Sequence, residues 1–127
     1  MNQEIMQMLS ELNQQHETIQ EQIKIVDQQL IELSAFSNEL LVLENQTNTD
    51  ILAPLGKSVF APVRFNPSEK FFVEIGAGYF VRKNLAETKM VVDEQSKRLR
   101  EFQTQLSTEL NMLTARLEQM LTQMQPA

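Results

Sequence analysis

Residues 70–83 read KFFVEIGAGYFVRK, and this stretch decides the fold. Lys70–Ile75 is rich in aromatic and β-branched side chains, Gly76-Ala77-Gly78 provides a turn, and Tyr79–Lys83 returns with similar side chains. Two β-rich runs on either side of a short glycine turn predict a β-hairpin. A phosphate-binding interpretation of the glycines fails, because that motif needs a following helix and a β-rich run follows here.

A further hairpin is predicted just before this one. Ile51–Leu55 is a short apolar run that ends at Gly56-Lys57-Ser58. Val59–Phe65 then alternates in polarity up to Asn66-Pro67-Ser68, which is a strong turn signal. Residues 51–83 are therefore expected to form four short strands in two hairpins.

The residues before the hairpins carry a heptad pattern. Apolar side chains recur at alternating steps of four and three, as in a coiled coil, and no Gly or Pro interrupts them. We predict one helix over residues 3–47. Its seam, the stripe of side chains that faces a partner helix, comprises Ile5, Leu9, Leu12, His16, Ile19, Ile23, Val26, Leu30, Leu33, Ser37 and Leu40.

Residues 85–125 are predicted to form a second long helix. One apolar position recurs every seven residues, and a companion position changes side along the helix, from Phe102 to Leu110. We therefore expect a stutter, a local unwinding of the supercoil, between Leu106 and Leu110. The repeating positions are Leu85, Val92, Leu99, Leu106, Leu113 and Met120, with companions Phe102, Leu110, Leu117 and Met124.

The two helices are expected to pair with each other. Each alone would leave an apolar stripe in water, and antiparallel pairing buries both stripes because the connecting segment is short. Residue 5 then lies beside residue 124, and residue 40 beside residue 89. The predicted fold class is mostly α with a small β module: a long antiparallel two-helix coiled coil joined by two β-hairpins, in a single domain over residues 1–127.

The hairpins carry more apolar side chains than two short hairpins can bury. Five of the seven Phe residues and the only Tyr fall in this segment. The excess, together with the open strand edges, predicts assembly with another chain through the hairpins. The expected oligomerisation residues are Val59, Phe60, Val63, Phe65, Phe71, Phe72, Val73, Ile75, Tyr79, Phe80 and Val81.

Charge and hydropathy exclude several classes of partner. The net charge is −6, and residues 1–50 contain nine acids and one base, so we expect no binding to nucleic acid, which needs a basic stripe. No run of 18 apolar residues occurs, and the first residues lack the features of a secretory signal. We therefore expect no membrane span and a cytoplasmic location.

No catalytic, cofactor-binding or metal-binding residue is predicted. His16 is the only histidine, the chain contains no Cys, and no nucleophile–base pair or carboxylate site stands out. A polar residue on the seam that sets the register of the helix pair is the favoured interpretation of His16, and Ser37 invites the same one. The sequence therefore argues against an enzyme.

The two ends of the chain are unusually rich in Met. Five of the seven Met residues lie there, and Met6, Met8 and Leu121 fall outside the seam. Flexible, polarizable Met side chains suit a surface that binds many different apolar segments. The alternative is that Met serves only as a helix former at a frayed end. We name as tip residues Ile5, Met6, Met8, Leu9, Leu117, Met120, Leu121 and Met124.

The order helix, two hairpins, helix resembles that of the α class of prefoldin subunits. The β class of the same family carries one hairpin. ILAPLG at 51–56 with Val59-Phe60 resembles the first hairpin of that class, and EKFFVEIGAGYFV at 69–81 closely resembles the second. The resemblance is to the archaeal type of α subunit, which is related to eukaryotic prefoldin subunit 5. It is specific over the hairpins, and the helices match in length and type.

The resemblance implies a function. Two α-class and four β-class subunits would assemble through their hairpins into a double β-barrel that carries six coiled coils. The tips would bind unfolded client proteins without ATP and deliver them to a group II chaperonin. No cofactor is implied. An alternative with the same architecture is a structural adaptor, a prefoldin-like subunit of another assembly that does not hold clients.

Overall fold

The computed structural model describes residues 3–45, 49–66 and 70–124. Two long helices and two separate antiparallel hairpins confirm the predicted fold class, and each strand begins and ends within two residues of its expected limits. The predicted ends of the helices at 47 and 125, and most of the turn at Asn66-Pro67-Ser68, lie outside the described residues. The elements are α1 (Gln3–Glu44), β1 (Thr49–Gly56), β2 (Val59–Phe65), β3 (Phe71–Gly76), β4 (Tyr79–Lys83) and α2 (Leu85–Met124).

The chain divides into two compact units. The terminal unit contains the first part of α1, up to Ile31, and the last part of α2, from Lys97 onward. The hairpin unit comprises Glu32–Ser96 and contains all four strands with the adjoining parts of both helices. Each unit has its own buried side chains.

In the terminal unit the two helical segments run antiparallel. His16 contacts Thr114, with 3.3 Å between the ring Nε2 and the hydroxyl oxygen. Farther along α1, Asp27 accepts a hydrogen bond from the side-chain amide of Gln103. Residues later in α1 therefore contact residues earlier in α2, as antiparallel helices require. Every α1 seam residue of this unit is buried or half-buried, and Leu12, Val26 and Leu106 are the most buried apolar side chains.

The predicted stutter between Leu106 and Leu110 is wrong. From Leu99 to Met120 the inward positions alternate four and three without a break, because Gln103 occupies the inward position that had been assigned to Phe102. Phe102 is 44% exposed. The stutter was predicted because the apolar Phe102 was assigned to the seam. The hydrogen bond to Asp27 instead lets the polar Gln103 occupy that position.

The core of the hairpin unit joins the hairpins to the helices. Leu40, Leu85 and Val92 form a buried cluster, and Phe65 and Phe71 pack against it. The two rings are stacked, with 5.1 Å between centroids and 11° between planes. The end of β2 and the start of β3 are thereby fixed to the same helical surface.

A capping box begins α2. The backbone N–H of Glu87 donates to the side-chain oxygen of Asn84 at 2.8 Å, and the N–H of Asn84 donates to the carboxylate of Glu87 at 3.0 Å. This reciprocal pair satisfies donors that a helix N-terminus otherwise leaves without partners. The transition from β4 to α2 therefore occurs at one residue, and it places Leu85 in the buried cluster.

Both hairpins use the same turn. Two residues with positive φ connect the strands, Lys57 and Ser58 in the first hairpin and Ala77 and Gly78 in the second, as in a type I′ turn. Just before each turn the strand register shifts by one residue, and Gly56 and Gly76 follow that shift with φ of 115° and 126°. Such φ values strongly favour glycine.

We predict that Gly76→Ala destabilises the second hairpin by about 1–3 kcal/mol, the typical range for backbone strain. Apart from Gly76 and its two neighbours in the chain, no atom lies within 4 Å of the added Cβ, so we attribute the effect to φ. Ala77→Gly is the matched control, because Ala77 has φ of 50° and glycine removes its strain. Urea unfolding followed by the fluorescence of Tyr79, the only tyrosine in a chain without tryptophan, measures both. Equal stability of the two variants would contradict the prediction.

Candidate functional site

The hairpins expose most of their apolar side chains. Side chains alternate between two faces of each hairpin, and both faces are apolar toward the turns. Strands that are apolar on both faces are typical of sheets buried on both sides. Of the residues expected in oligomerisation, Phe65, Phe71 and Val73 are half-buried within the chain, whereas Val59, Phe60, Val63, Phe72, Ile75, Tyr79, Phe80 and Val81 are exposed.

Two further leucines belong to this surface. Leu52 is 66% exposed and Leu55 is 70% exposed, the latter at the register shift before the first turn. Both lie in the predicted strand Ile51–Leu55, but they were not among the residues expected in oligomerisation. Their apolar character in a predicted strand was the available signal.

The strand edges of the two hairpins differ. Pro54 in β1 and Pro62 in β2 have no N–H, so each interrupts the row of hydrogen-bond donors along its strand. Strands β3 and β4 contain no proline. The second hairpin therefore offers the more complete edges for pairing with a strand of another chain.

Charged side chains lie across the strands near the helical ends of the hairpins. Arg64 forms an ion pair with Asp50 at 3.2 Å, and the guanidinium of Arg82 lies 5.5 Å from the centroid of the Phe72 ring. The ion pair is exposed and contributes little to stability. Both arginines thus have a partner within their own hairpin.

The tip residues form a second apolar surface. Ile5, Leu9, Leu117 and Met120 are half-buried on the seam, whereas Met6, Met8 and Leu121 are 55%, 52% and 52% exposed. The side chain of Met124 lies outside the description. An apolar stripe beyond the seam is wider than pairing of two helices requires.

A groove extends this surface along the terminal unit. One cavity of about 280 Å³ is lined by Ile5, Met8 and Met120, and another of about 660 Å³ by Ile19, Met112 and Leu113. Arg116 and Gln119 line both cavities. Met112, which is 68% exposed, was missed because its single position shows no heptad repeat.

The sequence profile described as "Prefoldin subunit" matches residues 5–127. This chain belongs to the prefoldin family. The match covers both helices and both hairpins, so the resemblance inferred from the hairpin residues is confirmed. Prefoldin subunits assemble into oligomeric complexes with other prefoldin subunits, and the exposed hairpin surface is consistent with such assembly.

Two curated relatives and one solved structure are similar to this prefoldin subunit. A probable prefoldin subunit 5 from Dictyostelium discoideum is 25% identical over 117 residues, covering 87% of this chain and 73% of the relative. Prefoldin subunit alpha from Archaeoglobus fulgidus is 31% identical over 115 residues, covering 84% and 79%. A chain of filamentous prefoldin from Methanocaldococcus jannaschii has a TM-score of 0.79 at 18% identity, covering 91% and 97%.

In the part of the chain that the structure describes, neither helix contains a stretch long and apolar enough to cross a membrane.

The polar pair His16–Thr114 interrupts the apolar seam of this prefoldin subunit between the tip residues and Val26. The Thr114 hydroxyl also donates to the carbonyl of Leu110 at 2.9 Å, so it keeps a partner when the histidine is removed. His16 is half-buried. The contact supports the interpretation of His16 as a polar seam residue that sets the register, and the ring contributes less apolar burial than a leucine would.

We predict that His16→Leu stabilises the terminal unit by about 1–2 kcal/mol, because a half-buried polar ring is replaced by an apolar seam residue. Thermal unfolding followed by far-ultraviolet circular dichroism measures the change. Gln14→Leu is the control, since Gln14 is exposed on the same helix and should leave the midpoint unchanged. A lower midpoint for His16→Leu would contradict the prediction.

Proposed function

We propose that this chain is an α-class subunit of a cytoplasmic prefoldin hexamer that holds unfolded proteins without ATP and passes them to a group II chaperonin. In this proposal two copies assemble with four β-class subunits. The chain acts by binding alone and catalyses no reaction. The observation that carries the proposal is the presence of two separate exposed apolar surfaces, one on the hairpins and one at the tip residues.

The hairpin surface supports the assembly part of the proposal. Burying one exposed Phe, Ile or Leu side chain contributes about 1.5–3 kcal/mol, so the ten exposed residues from Leu52 to Val81 favour a permanent partner. Open edges of four strands favour a partner that adds strands, and a closed double β-barrel removes such edges. Lys57 and Lys70 are exposed, so they are available for acidic partner surfaces.

The tip residues and the adjoining groove support the client-binding part. The groove combines Met8, Met112 and Met120 with the polar side chains of Arg116 and Gln119. Flexible Met side chains adapt to different apolar segments, and the polar groups can bond the unpaired backbone of an extended chain. Such a surface suits non-native polypeptides better than one defined partner.

We predict that Phe80→Ser prevents assembly with β-class subunits, because it removes a side chain that is 60% exposed in the single chain. The chain is mixed with the β-class subunit of its own organism, and native mass spectrometry tests for a complex of two and four copies. Phe102→Ser is the matched control, a 44% exposed phenylalanine on α2, and should assemble normally. A Phe80→Ser variant that assembles as well as the unaltered chain would refute the role of the hairpins.

We predict that the variant Met6→Ser/Met8→Ser/Leu121→Ser lowers client affinity by about tenfold or more, equivalent to about 1.4 kcal/mol, while the hexamer persists. Suppression of aggregation of a chemically unfolded protein measures the affinity. The control variant Ile25→Ser/Ile31→Ser/Met90→Ser changes three side chains with exposures of 57%, 63% and 70% outside the tip.

The same assay separates the chaperone from the structural adaptor. Unchanged suppression by the tip variant would remove the client-binding role from these residues. A stable complex of another stoichiometry, with no suppression by the unaltered chain, would favour the adaptor. Addition of Met124→Ser to the tip variant extends the test to the last of the tip residues.

A further inference from the structure

Just before its last residue, Glu44, α1 carries four consecutive apolar residues. Leu40, Leu41, Val42 and Leu43 are consecutive, and at about 100° per residue four residues point in directions that span about 300°. In the preceding turns of the hairpin unit Phe36 is 40% exposed, but the other exposed positions are small or polar, as at Ser34, Asn38 and Glu39. A helical turn that is apolar on all sides is typical of a buried helix.

The single chain covers only part of this turn. Leu40 is 3% exposed, and Leu43 packs against the cluster of Leu40, Leu85 and Val92. Leu41 and Val42 are 37% and 55% exposed. One side of this apolar segment is therefore buried within the hairpin unit, whereas Val42 and part of Leu41 stay uncovered by the residues that the structure describes.

The backbone carbonyl groups of Leu41 and Val42 have hydrogen-bond partners within the chain. Carbonyl groups at a helix C-terminus lack intrahelical donors and normally need solvent. Here the carbonyl of Leu41 accepts from the side-chain amide of Asn45 at 3.2 Å, and the carbonyl of Val42 accepts from the backbone N–H of Asn45 at 3.2 Å. A partner that covers Leu41 and Val42 therefore leaves neither carbonyl without a hydrogen bond.

The position of the turn indicates what covers it. Phe65 and Phe71, where β2 ends and β3 begins, pack against the same cluster as Leu43, so the turn lies at the helical ends of the assembly hairpins. Glu39 and Glu44 flank the patch, and the last turn of α1 has no basic residue to offset the negative helix C-terminus. The charges favour a partner whose apolar patch carries Lys or Arg at its rim.

We propose that Leu41 and Val42 form a second contact of the subunit interface, covered by an apolar, basic-rimmed patch of the neighbouring prefoldin subunit. This inference rests on the proposed assembly and extends it from the hairpins to a helix. A client is a less fitting occupant, because the patch is built from a leucine and a β-branched valine and contains no flexible Met.

The absence of cysteine from the chain permits a direct test. Val42→Cys and, as the matched control, Ile31→Cys introduce one thiol each at positions that are 55% and 63% exposed in the single chain. The rate of reaction with a maleimide is measured before and after assembly with the β-class subunit. We expect assembly to slow the reaction at residue 42 at least tenfold and to leave residue 31 unchanged. Equal reactivity of residue 42 in both states would overturn the inference.

A second variant tests the contribution to affinity. Leu41→Gln/Val42→Gln removes both apolar side chains and places glutamine, a good helix former, at each position. It is compared with Ile25→Gln/Ile31→Gln at two exposed apolar positions of the same helix. We expect at least tenfold weaker assembly for the first pair only, measured by native mass spectrometry across a dilution series. Unchanged assembly, or a loss of client suppression alone, would overturn the inference.

Assembly of the unaltered chain distinguishes a failure of the proposed function from a failure of the inference about the α1 turn alone. If it forms no complex with the β-class subunit, the proposed function fails and the inference about the α1 turn fails with it. If it assembles and the Phe80→Ser variant does not, while Leu41→Gln/Val42→Gln assembles normally, only the inference about the α1 turn fails.

Discussion

Phe65 and Phe71 stack on each other and pack against the cluster of Leu40, Leu85 and Val92. This contact commits one aromatic side chain from the end of β2 and one from the start of β3 to the helices. Of the other aromatic and large aliphatic side chains of the described strands, only Ile51 and Val73 are half-buried, and the rest are exposed. Exposure of the hairpins thus follows from how little helical surface is available to cover them. Burial of these exposed apolar side chains would release free energy, and this favours binding of a partner chain.

The helices also bury only a small part of their side-chain surface. Among the described residues no side chain is less than 2% exposed, and the most buried apolar positions are spread along the two helices in both units. A two-helix seam buries one stripe of each helix and leaves the other sides in water. Polar side chains at His16 and Gln103 reduce that stripe further, and their contacts with Thr114 and Asp27 favour the observed register. The seam therefore specifies an arrangement more than it supplies stability.

Much of this could be predicted from the sequence, because the governing patterns are local. The α1 seam, read from period alone, coincides with the buried and half-buried positions, and the glycine turns located both hairpins. The pattern failed at Phe102, since periodicity treats every apolar residue as inward and cannot detect the hydrogen bond that holds Gln103 inside. The groove beside Met112 and the Asn45 contacts at the end of α1 depend on side-chain geometry, which no period contains. Leu52 and Leu55 lie in a strand that the sequence predicted, but their exposure depends on packing that the strand pattern does not contain.

Exposure alone does not distinguish a surface that waits for one partner from a surface that accepts many, but side-chain type does. The exposed apolar residues of the strands are aromatic, β-branched or leucine, without a single Met. Aromatic and β-branched side chains have few rotamers to lose, so they suit a fixed interface. At the tip the exposed residues are Met6, Met8 and Leu121, and Met fits irregular and changing surfaces. Leu41 and Val42 follow the hairpin pattern, which is the chemical reason to assign them to assembly.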